Sequence, residues 1–421
     1  MLPKTHLFYT AKYFFVTFFL LNFWAPAQAQ QITKLMGDPT VRAALETVKH
    51  NEPEMLSEQA RVCEIAAPPF HEEQRGYELK KMFERLHLVN VHIDKAGNVI
   101  GTRPGDKPRP NVVLAAHLDT VFPEGTNVKV SREGDVMKGP GIGDDCRGLA
   151  VLLGVIRALD EAKVKTSGTI TFVADVGEEG LGDLRGMKEL FGESLKGQID
   201  SFISVDGLGT GITNTGVGSY RYKVLFKGPG GHSYGAFGMA NPIQAMGRAI
   251  AKLDAFEVPV HPKTTFNVGR VGGGTSVNAI PFEAWMEVDL RSADVKSLDA
   301  LNTKFKAALN EAVEEENKRW NGKGPVSVAP ELVGFRPAGV TPESAPIVQT
   351  AIAVSNTLDL PVQLGEGSTD SNVPMNLGIP AITIGGGGKG TGAHSLNETY
   401  DSTDSWKGTQ RALLLILSLG F

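Results

Sequence analysis

Acidic and histidine side chains lie beside apolar stretches at two places in the first half of the sequence. His117 and Asp119 follow the apolar run NVVLAA, and Asp144 and Asp145 lie in the turn GPGIGDDCRG before an apolar helix. A histidine that binds a metal usually needs a carboxylate behind its ring, and Asp119 could supply it. A surface pair would also explain His117 and Asp119, and a helix N-cap would need only one of the two aspartates. Neighbouring carboxylates repel each other, so the acidic pair favours a bound cation.

Further acids and a histidine follow other apolar runs. Glu178 and Glu179 come after TITFVA, Asp206 directly follows SFISV, and His394 lies in the Gly-rich loop GGGGKGTGAHS. A solvated charge pair is the ordinary explanation for the two glutamates taken alone. Because the carboxyl ends of buried parallel strands meet at one edge of a sheet, we expect these side chains to converge in one crevice.

The order of strands and helices defines the fold class. Continuous apolar runs that alternate with helical patterns predict an α/β fold with a doubly wound, mainly parallel sheet. After the Gly-rich stretch 207–218 the order becomes βαββαβ, which describes a ferredoxin-like α+β sandwich. A last apolar strand then resumes the first pattern. We therefore expect a catalytic domain in two parts, residues 30–213 and 333–421, with residues 214–332 inserted as a lid or dimerisation domain.

The composition limits the function classes. The chain has 421 residues, 41% hydrophobic side chains and a formal net charge of -5. A nucleic-acid-binding protein would need a basic excess, and a disordered chain would have fewer apolar residues. Cys63 and Cys146 are the only cysteines, so a metal site must use His, Asp and Glu. Two separate buried thiols are the favoured state of these cysteines, and a disulfide is the alternative.

Residues 1–29 have the layout of a secretory signal peptide. Lys4 and Lys12 precede a short apolar run, and Ala27-Gln28-Ala29 provides a small-residue cleavage site. The run is short for a membrane span, and an uncleaved membrane anchor is the alternative. We therefore expect a secreted or periplasmic protein with no membrane segment after signal cleavage.

Six motifs, in the same order along the chain, resemble one known family. They are AHLDTV, GPGIGDDCRG, GEEG, VDG, GPGGHS and AHSLNE. In these motifs the chain resembles the dinuclear-zinc exopeptidases of the aminoacylase and glutamate carboxypeptidase type, in metallopeptidase clan MH, which include tripeptidase T and a desuccinylase of lysine biosynthesis. The family commonly has Asp-Asp-Lys-Gly-Gly where this chain has Asp144-Asp145-Cys146-Arg147-Gly148. The first aspartate is retained, but the surroundings of Cys146 differ.

The resemblance implies a role for each residue of the crevice. His117, Asp144 and Asp206 would bind one metal ion, and Asp144, Glu179 and His394 the other, with Asp144 as the bridging ligand. Glu178 would be the general base, Asp119 would support His117, and the peptide bond between Asp144 and Asp145 would be cis. The ligand types favour two Zn2+ ions, although manganese or cobalt could also bind.

The resemblance extends to three residues of the inserted domain. His232 and Asn278 would bind the substrate carbonyl and its developing oxyanion, and Arg291 would bind a substrate carboxylate. Without the resemblance, His232 would be an ordinary turn residue and Arg291 a solvated or salt-bridged strand residue. In dimeric relatives this domain pairs two subunits and its histidine can reach the partner's active site. The resemblance is therefore consistent with a homodimer, and it leaves open whether His232 acts across the dimer or within its own chain.

These assignments predict an exopeptidase that hydrolyses a terminal amide bond of small peptides, as a carboxypeptidase or a di- or tripeptidase. Two cations would polarise the scissile carbonyl and activate water, and Glu178 would transfer the proton to the leaving amine. An N-acyl-amino-acid deacylase is the alternative within the family. A catalytically dead, metal-stabilised peptide-binding protein is the alternative from another class, but Glu178 would have no use there. The expected partners are therefore a small peptide or acyl-amino-acid substrate, with no nucleic acid.

Overall fold

The computed structural model describes residues 25–420. Its α-helices are α1 (Ala25–Gly37), α2 (Pro39–His50), α3 (Glu52–Cys63), α4 (Glu73–Arg85), α5 (Cys146–Glu161), α6 (Arg185–Glu189), α7 (Pro242–Asp254), α8 (Val295–Arg319), α9 (Pro346–Thr357), α10 (Asn372–Asn376) and α11 (Trp406–Gly420). Its strands are β1 (Val89–Ile93), β2 (Val99–Arg103), β3 (Asn111–His117), β4 (Ser131–Glu133), β5 (Val136–Lys138), β6 (Thr169–Asp175), β7 (Ser201–Val205), β8 (Ile212–Gly216), β9 (Gly218–Lys227), β10 (Gly231–His232), β11 (Thr264–Gly273), β12 (Ala279–Ile280), β13 (Glu283–Ser292), β14 (Ser327–Arg336), β15 (Gly339–Val340), β16 (Leu364–Gly367), β17 (Ala381–Ile384), β18 (Lys389–Thr391) and β19 (Thr399–Asp401).

The central sheet has the strand order β1-β2-β6-β3-β7-β17-β8-β15, and β16 pairs with β8. Its four middle strands, β6, β3, β7 and β17, run parallel to one another. Alternate residues of β3 enter different cores: Leu114 packs in the core with α5 and α11, and Val113 packs in the core on the other face with Met187 of α6. This double burial explains the uninterrupted apolar runs and confirms the predicted α/β fold class.

A second sheet, with the order β11-β13-β9-β14, is antiparallel throughout. Along the chain its elements occur as β9, α7, β11, β13, α8 and β14, which is the predicted βαββαβ order. The inward-facing residues of β13, among them Met286 and Leu290, are fully buried in the same core as Phe305 of α8. Strand β14 continues to Arg336, four residues beyond the expected boundary at 332, and so carries the chain back to the central sheet.

The amino-terminal helix α1 runs without a break through the expected cleavage point after Ala29. Its side chains Ile32 and Leu35 are buried in the main core, and Gln31 donates a hydrogen bond to the Ser418 carbonyl at 2.7 Å. Cleavage after Ala29 would therefore divide a packed helix. Lys4, Lys12 and the apolar run of the expected signal peptide lie outside the described residues. Within residues 25–420, no helix has the length and apolar character needed to cross a membrane.

Cys63 and Cys146 form a disulfide, so the expectation of two separate thiols is wrong. Cys63 ends α3 and Cys146 begins α5, and the packing of these helices brings their Cα atoms to 5.5 Å, a normal separation for a disulfide. The bond links α3 to the turn that carries Asp144 and Asp145.

Candidate metal centre

The carboxyl ends of the middle strands bring the predicted ligands together. His117 is the last residue of β3, Asp206 directly follows β7, and Glu179 lies in the turn after β6. Asp144 comes from the turn before α5, and His394 from the loop between β18 and β19. All five predicted ligands thus reach one edge of the sheet, as the strand-end argument requires.

Two ligand sets share Asp144. Its Oδ1 lies 3.1 Å from His117 Nε2, and its Oδ2 lies 3.0 Å from His394 Nε2. His117 Nε2 is also 3.9 Å from an Asp206 oxygen, and His394 Nε2 is 3.1 Å from Glu179 Oε1. In each set of three residues the ligand atoms lie within 4.8 Å of one another. The two oxygens of Asp144 therefore face different imidazoles, which is the arrangement of a bridging carboxylate.

The donor chemistry of the cluster fits two divalent cations. Each set contains one imidazole and carboxylate oxygens, which are ligands of zinc and of neighbouring transition metals. The carboxylates of Asp144, Glu179 and Asp206 are largely removed from water and close together, so their mutual repulsion needs positive charge nearby. Two cations would provide it.

Protonation of the cluster reflects the same crowding. Burial raises the pKa of the Glu179 carboxyl to about 7. A hydrogen bond with Asp144 raises the pKa of the His394 imidazole to about 9. Burial opposes ionisation of Asp144, but hydrogen bonds with His117 and His394 hold the pKa of its carboxyl well below the ordinary value. Since metals bind the deprotonated ligands, metal binding here would release protons.

Asp119 fixes the turn that carries the two glutamates. Its carboxylate accepts backbone N–H bonds from Gly177, Glu178 and Glu179 at 2.8, 3.1 and 2.8 Å. His117 Nδ1 lies 3.0 Å from the Asp119 carbonyl oxygen but 3.8 Å from its carboxylate. The carbonyl can therefore accept the Nδ1 proton and leave Nε2 free for a metal.

The acidic pair Asp144-Asp145 was expected to provide either a helix N-cap or a metal ligand, and the two side chains have different surroundings. The Asp145 carboxylate caps α5 by accepting the Gly148 N–H at 2.9 Å, and it also accepts the His117 N–H at 3.2 Å. Asp144 faces the histidines instead. The peptide bond between them is cis, as the family resemblance implied. The helix cap is thus confirmed for Asp145, whereas the metal-binding role of Asp144 stays a prediction that this geometry favours.

Arg336 contacts the candidate base and was missed by sequence reasoning. Its Nη1 donates to Glu178 Oε1 at 2.9 Å, and its Nη2 donates to the Glu178 carbonyl. The Arg336 side chain is 5% exposed. Burial raises the pKa of Glu178 well above its ordinary value, although the Arg336 guanidinium opposes this. No local pattern identifies Arg336, because it ends a strand 158 residues away from its partner.

The metal cluster opens into a cavity of about 380 Å³. The lining residues are Val121, Asp144, Glu178, Glu179, Gly180, Asp206, Arg221, Arg291, Arg336, Ser368 and His394. Arg221 and Arg291 come from the neighbouring strands β9 and β13 and share Asp289, whose oxygens lie 3.4 and 2.6 Å from their Nε atoms. Three arginines therefore face a cavity in which an anion could bind. Sequence reasoning found Arg291 but missed Arg221.

His232 and Asn278 lie together, but away from this cavity. Both are exposed, on the two-stranded pair formed by β10 and β12 and the turn before it. His232 Nδ1 accepts backbone N–H bonds from Tyr234 and Gly235 at 3.3 and 3.2 Å. Neither residue is among those that line the cavity of the metal cluster in the described chain.

Comparison with known proteins agrees with this geometry. The profile of peptidase family M20/M25/M40 matches residues 113–418. The chain belongs to this peptidase family. It is similar to carboxypeptidase G2 of Pseudomonas sp. (27% identity, covering 82% of this chain and 83% of the relative) and to succinyl-diaminopimelate desuccinylase of Corynebacterium glutamicum (26%, 78% and 86%). The structure is similar to that of aminopeptidase PepT from Bacillus cereus, with a TM-score of 0.72, 23% identity and coverage of 88% and 99%.

Family membership settles the class of protein. Peptidases of family M20/M25/M40 bind two metal ions, and this chain is a metal-dependent amide hydrolase. The alternative of a catalytically dead binding protein is therefore set aside. The predicted secreted or periplasmic location is wrong, because the expected cleavage point after Ala29 lies within α1, a helix whose side chains pack in the main core.

Proposed function

We propose that this chain hydrolyses the terminal amide bond of small peptides, as a carboxypeptidase or a di- or tripeptidase, with two Zn2+ ions. One observation carries the proposal: Asp144 belongs to two histidine-containing ligand sets, in a cavity that Glu178 and three arginines also line. The similarity to carboxypeptidase G2 supports the substrate class.

The ligands divide between two positions. His117, Asp144 and Asp206 would hold one ion, and Asp144, Glu179 and His394 the other. When bound, the ions polarise the scissile carbonyl and lower the pKa of water, so that hydroxide is available as the nucleophile near neutral pH. Asp119 and Asp145 position these ligands. The Asp119 carbonyl contacts the His117 ring and the Asp119 carboxylate holds the turn of the two glutamates, while the Asp145 carboxylate accepts the His117 N–H.

Glu178 would move the proton. Arg336 holds one of its carboxylate oxygens, which leaves the other free to accept a proton from the attacking water and to deliver it to the leaving amine. The raised pKa that burial gives Glu178 makes its carboxylate a stronger base than a solvated glutamate. Pairing with Arg336 also restricts its side-chain rotamers.

Arg291 would bind the free carboxylate of the substrate, and Arg221 lies across Asp289 from it. A guanidinium binds a carboxylate through two parallel N–H bonds, which sets both charge and direction. An N-acyl-amino-acid deacylase is the second candidate, because its product also carries a free carboxylate and because the desuccinylase is among the relatives.

His232 and Asn278 would act in a homodimer. Their exposed position, away from the cavity of their own chain, supports a role in the site of a second copy. There they would bind the substrate carbonyl and its developing oxyanion.

Activity profiling of the metal-free protein reloaded with Zn2+, Mn2+ or Co2+ tests the proposal. The substrates are di- and tripeptides that are free, N-blocked or C-amidated, together with N-acyl amino acids. We expect hydrolysis of peptides with a free carboxylate, loss of activity on chelation, and recovery with Zn2+. Exclusive hydrolysis of N-acyl amino acids would select the deacylase, and full activity of the chelated protein would refute the metal assignment.

A further inference from the structure

Glu398 is a buried carboxylate that holds the turn of Asp144. It lies four residues after His394 and is 2% exposed. Its Oε1 accepts the N–H groups of Gly143 and Asp144 at 2.8 and 3.0 Å, and its Oε2 accepts the N–H of Gly141 at 2.9 Å. Its backbone carbonyl accepts a fourth bond, from the N–H of Gly139 at 3.1 Å. One residue thus satisfies four N–H groups of a single turn.

The turn needs such an external anchor because glycines give it little stiffness of their own. Gly141 has a φ of +78°, and a Cβ at Gly143 would lie 3.1 Å from Glu398 Oε1. Glycine at 143 therefore lets the carboxylate approach the backbone closely. Within residues 25–420 no lysine, arginine or histidine forms an ion pair with Glu398, so backbone N–H groups are its hydrogen-bond donors.

The arrangement repeats the one at Asp119. That carboxylate accepts three N–H bonds from the turn of Glu178 and Glu179, and Glu398 does the same for the turn of Asp144. His394 and Glu398 also belong to one loop, so the loop contacts Asp144 twice: His394 at the side chain and Glu398 at the backbone.

We propose that Glu398 is a positioning residue for Asp144: it fixes the backbone of residues 141–144 so that the two Asp144 oxygens face His117 and His394. The inference rests on the proposed role of Asp144 as bridging ligand. Without the anchor, the glycine-rich turn would sample other conformations, and both metal positions would lose a ligand in part of the population. Glu398 itself binds neither metal nor substrate.

Glu398→Gln is the test variant. The glutamine oxygen can keep the bonds to Gly143 and Asp144, but its NH2 group would face the N–H of Gly141, donor against donor. We expect Zn2+ affinity, measured by titration of the metal-free protein against a competing chelator, to fall about 10- to 100-fold, as for other residues that orient metal ligands. Hydrogen exchange of the Gly141 amide in the metal-free variant should accelerate at least about tenfold, since this N–H loses its acceptor.

Two controls separate the possible failures. Asp200→Asn also removes a carboxylate that accepts a backbone N–H, from Asn111 at 2.7 Å, but at the amino ends of β3 and β7, opposite the edge of the sheet that holds Asp144, and should leave Zn2+ affinity unchanged. Asp144→Asn should abolish binding of the second Zn2+ ion. Wild-type Zn2+ affinity in Asp144→Asn would overturn the bridging role of Asp144. If Asp144→Asn loses Zn2+ affinity but Glu398→Gln keeps wild-type Zn2+ affinity and wild-type hydrogen exchange, only the role of Glu398 is overturned. If Glu398→Gln does not fold, unprotected amides at 141, 143 and 144 in the wild-type protein would overturn the proposal, and protected ones would support it.

Discussion

Replacing Glu178 by alanine removes two things at once. It removes the proposed general base, and it removes the carboxylate that lies 2.9 Å from an Arg336 nitrogen. Glu178→Gln differs, because the glutamine amide oxygen can still accept the hydrogen bond from Arg336. The two variants therefore separate proton transfer from ion pairing.

The expected magnitudes follow from these contacts. Loss of proton transfer lowers kcat by a factor of about 10² to 10⁴ in both variants. In Glu178→Ala the buried Arg336 charge also loses its carboxylate, which costs about 3–5 kcal/mol of unfolding free energy. Arg336 keeps bonds to the residue 178 carbonyl and to Ser368 Oγ, so the loss should lie near the lower end, about 3 kcal/mol. Glu178→Gln keeps a neutral acceptor and should lose about 1 kcal/mol.

Three measurements on each variant check this reasoning: kcat at saturating Zn2+, bound metal, and urea unfolding of the metal-free protein. The double variant Glu178→Ala, Arg336→Met removes both partners and should recover most of the stability lost by the alanine variant, because no buried charge stays unpaired. Equal stability of the Ala and Gln variants would refute the ion-pair argument. Wild-type kcat in Glu178→Gln would place the base elsewhere.

Arg291→Ala should slow hydrolysis of peptides with a free C-terminal carboxylate about tenfold more than hydrolysis of their amidated counterparts, because a bidentate ion pair supplies charge and direction; equal losses on both substrate types would make Arg291 structural. Because the pKa of His394 in the metal-free protein is raised to about 9, its imidazole must lose a proton before it binds a metal. Zn2+ affinity should therefore rise with pH toward about 9, and calorimetric titrations that show no pH dependence would contradict this. Mixing His232→Ala with Glu178→Gln protein should restore about a quarter of wild-type activity, because half of the dimers would be mixed and each would hold one intact site. If the subunits exchange without any recovery, His232 does not act across the dimer.

The sequence by itself determined the fold class and the edge of the sheet at which the proposed metal ligands lie. Uninterrupted apolar runs such as NVVLAA identify strands buried on both faces, and the residue that follows each run must lie at the carboxyl edge of the sheet. His117 and Asp206 could therefore be assigned to one crevice from local pattern alone. The second sheet was likewise recognised from a change of pattern. A continuous apolar run indicates a strand buried on both faces, whereas alternation of apolar and polar residues indicates a strand buried on one face.

Only the tertiary structure decided which distant side chains meet. The Cys63–Cys146 disulfide, the Arg336–Glu178 pair and the Glu398–Asp144 contact join residues separated by 83, 158 and 254 positions. Local periodicity reports how a segment is buried but not which segment packs against it, so no pattern around Arg336 or Glu398 names its partner. The packing of α3 on α5, the end of β14 and the loop before β19 supply these contacts, and through them the protein orients the ligands that its strand ends present.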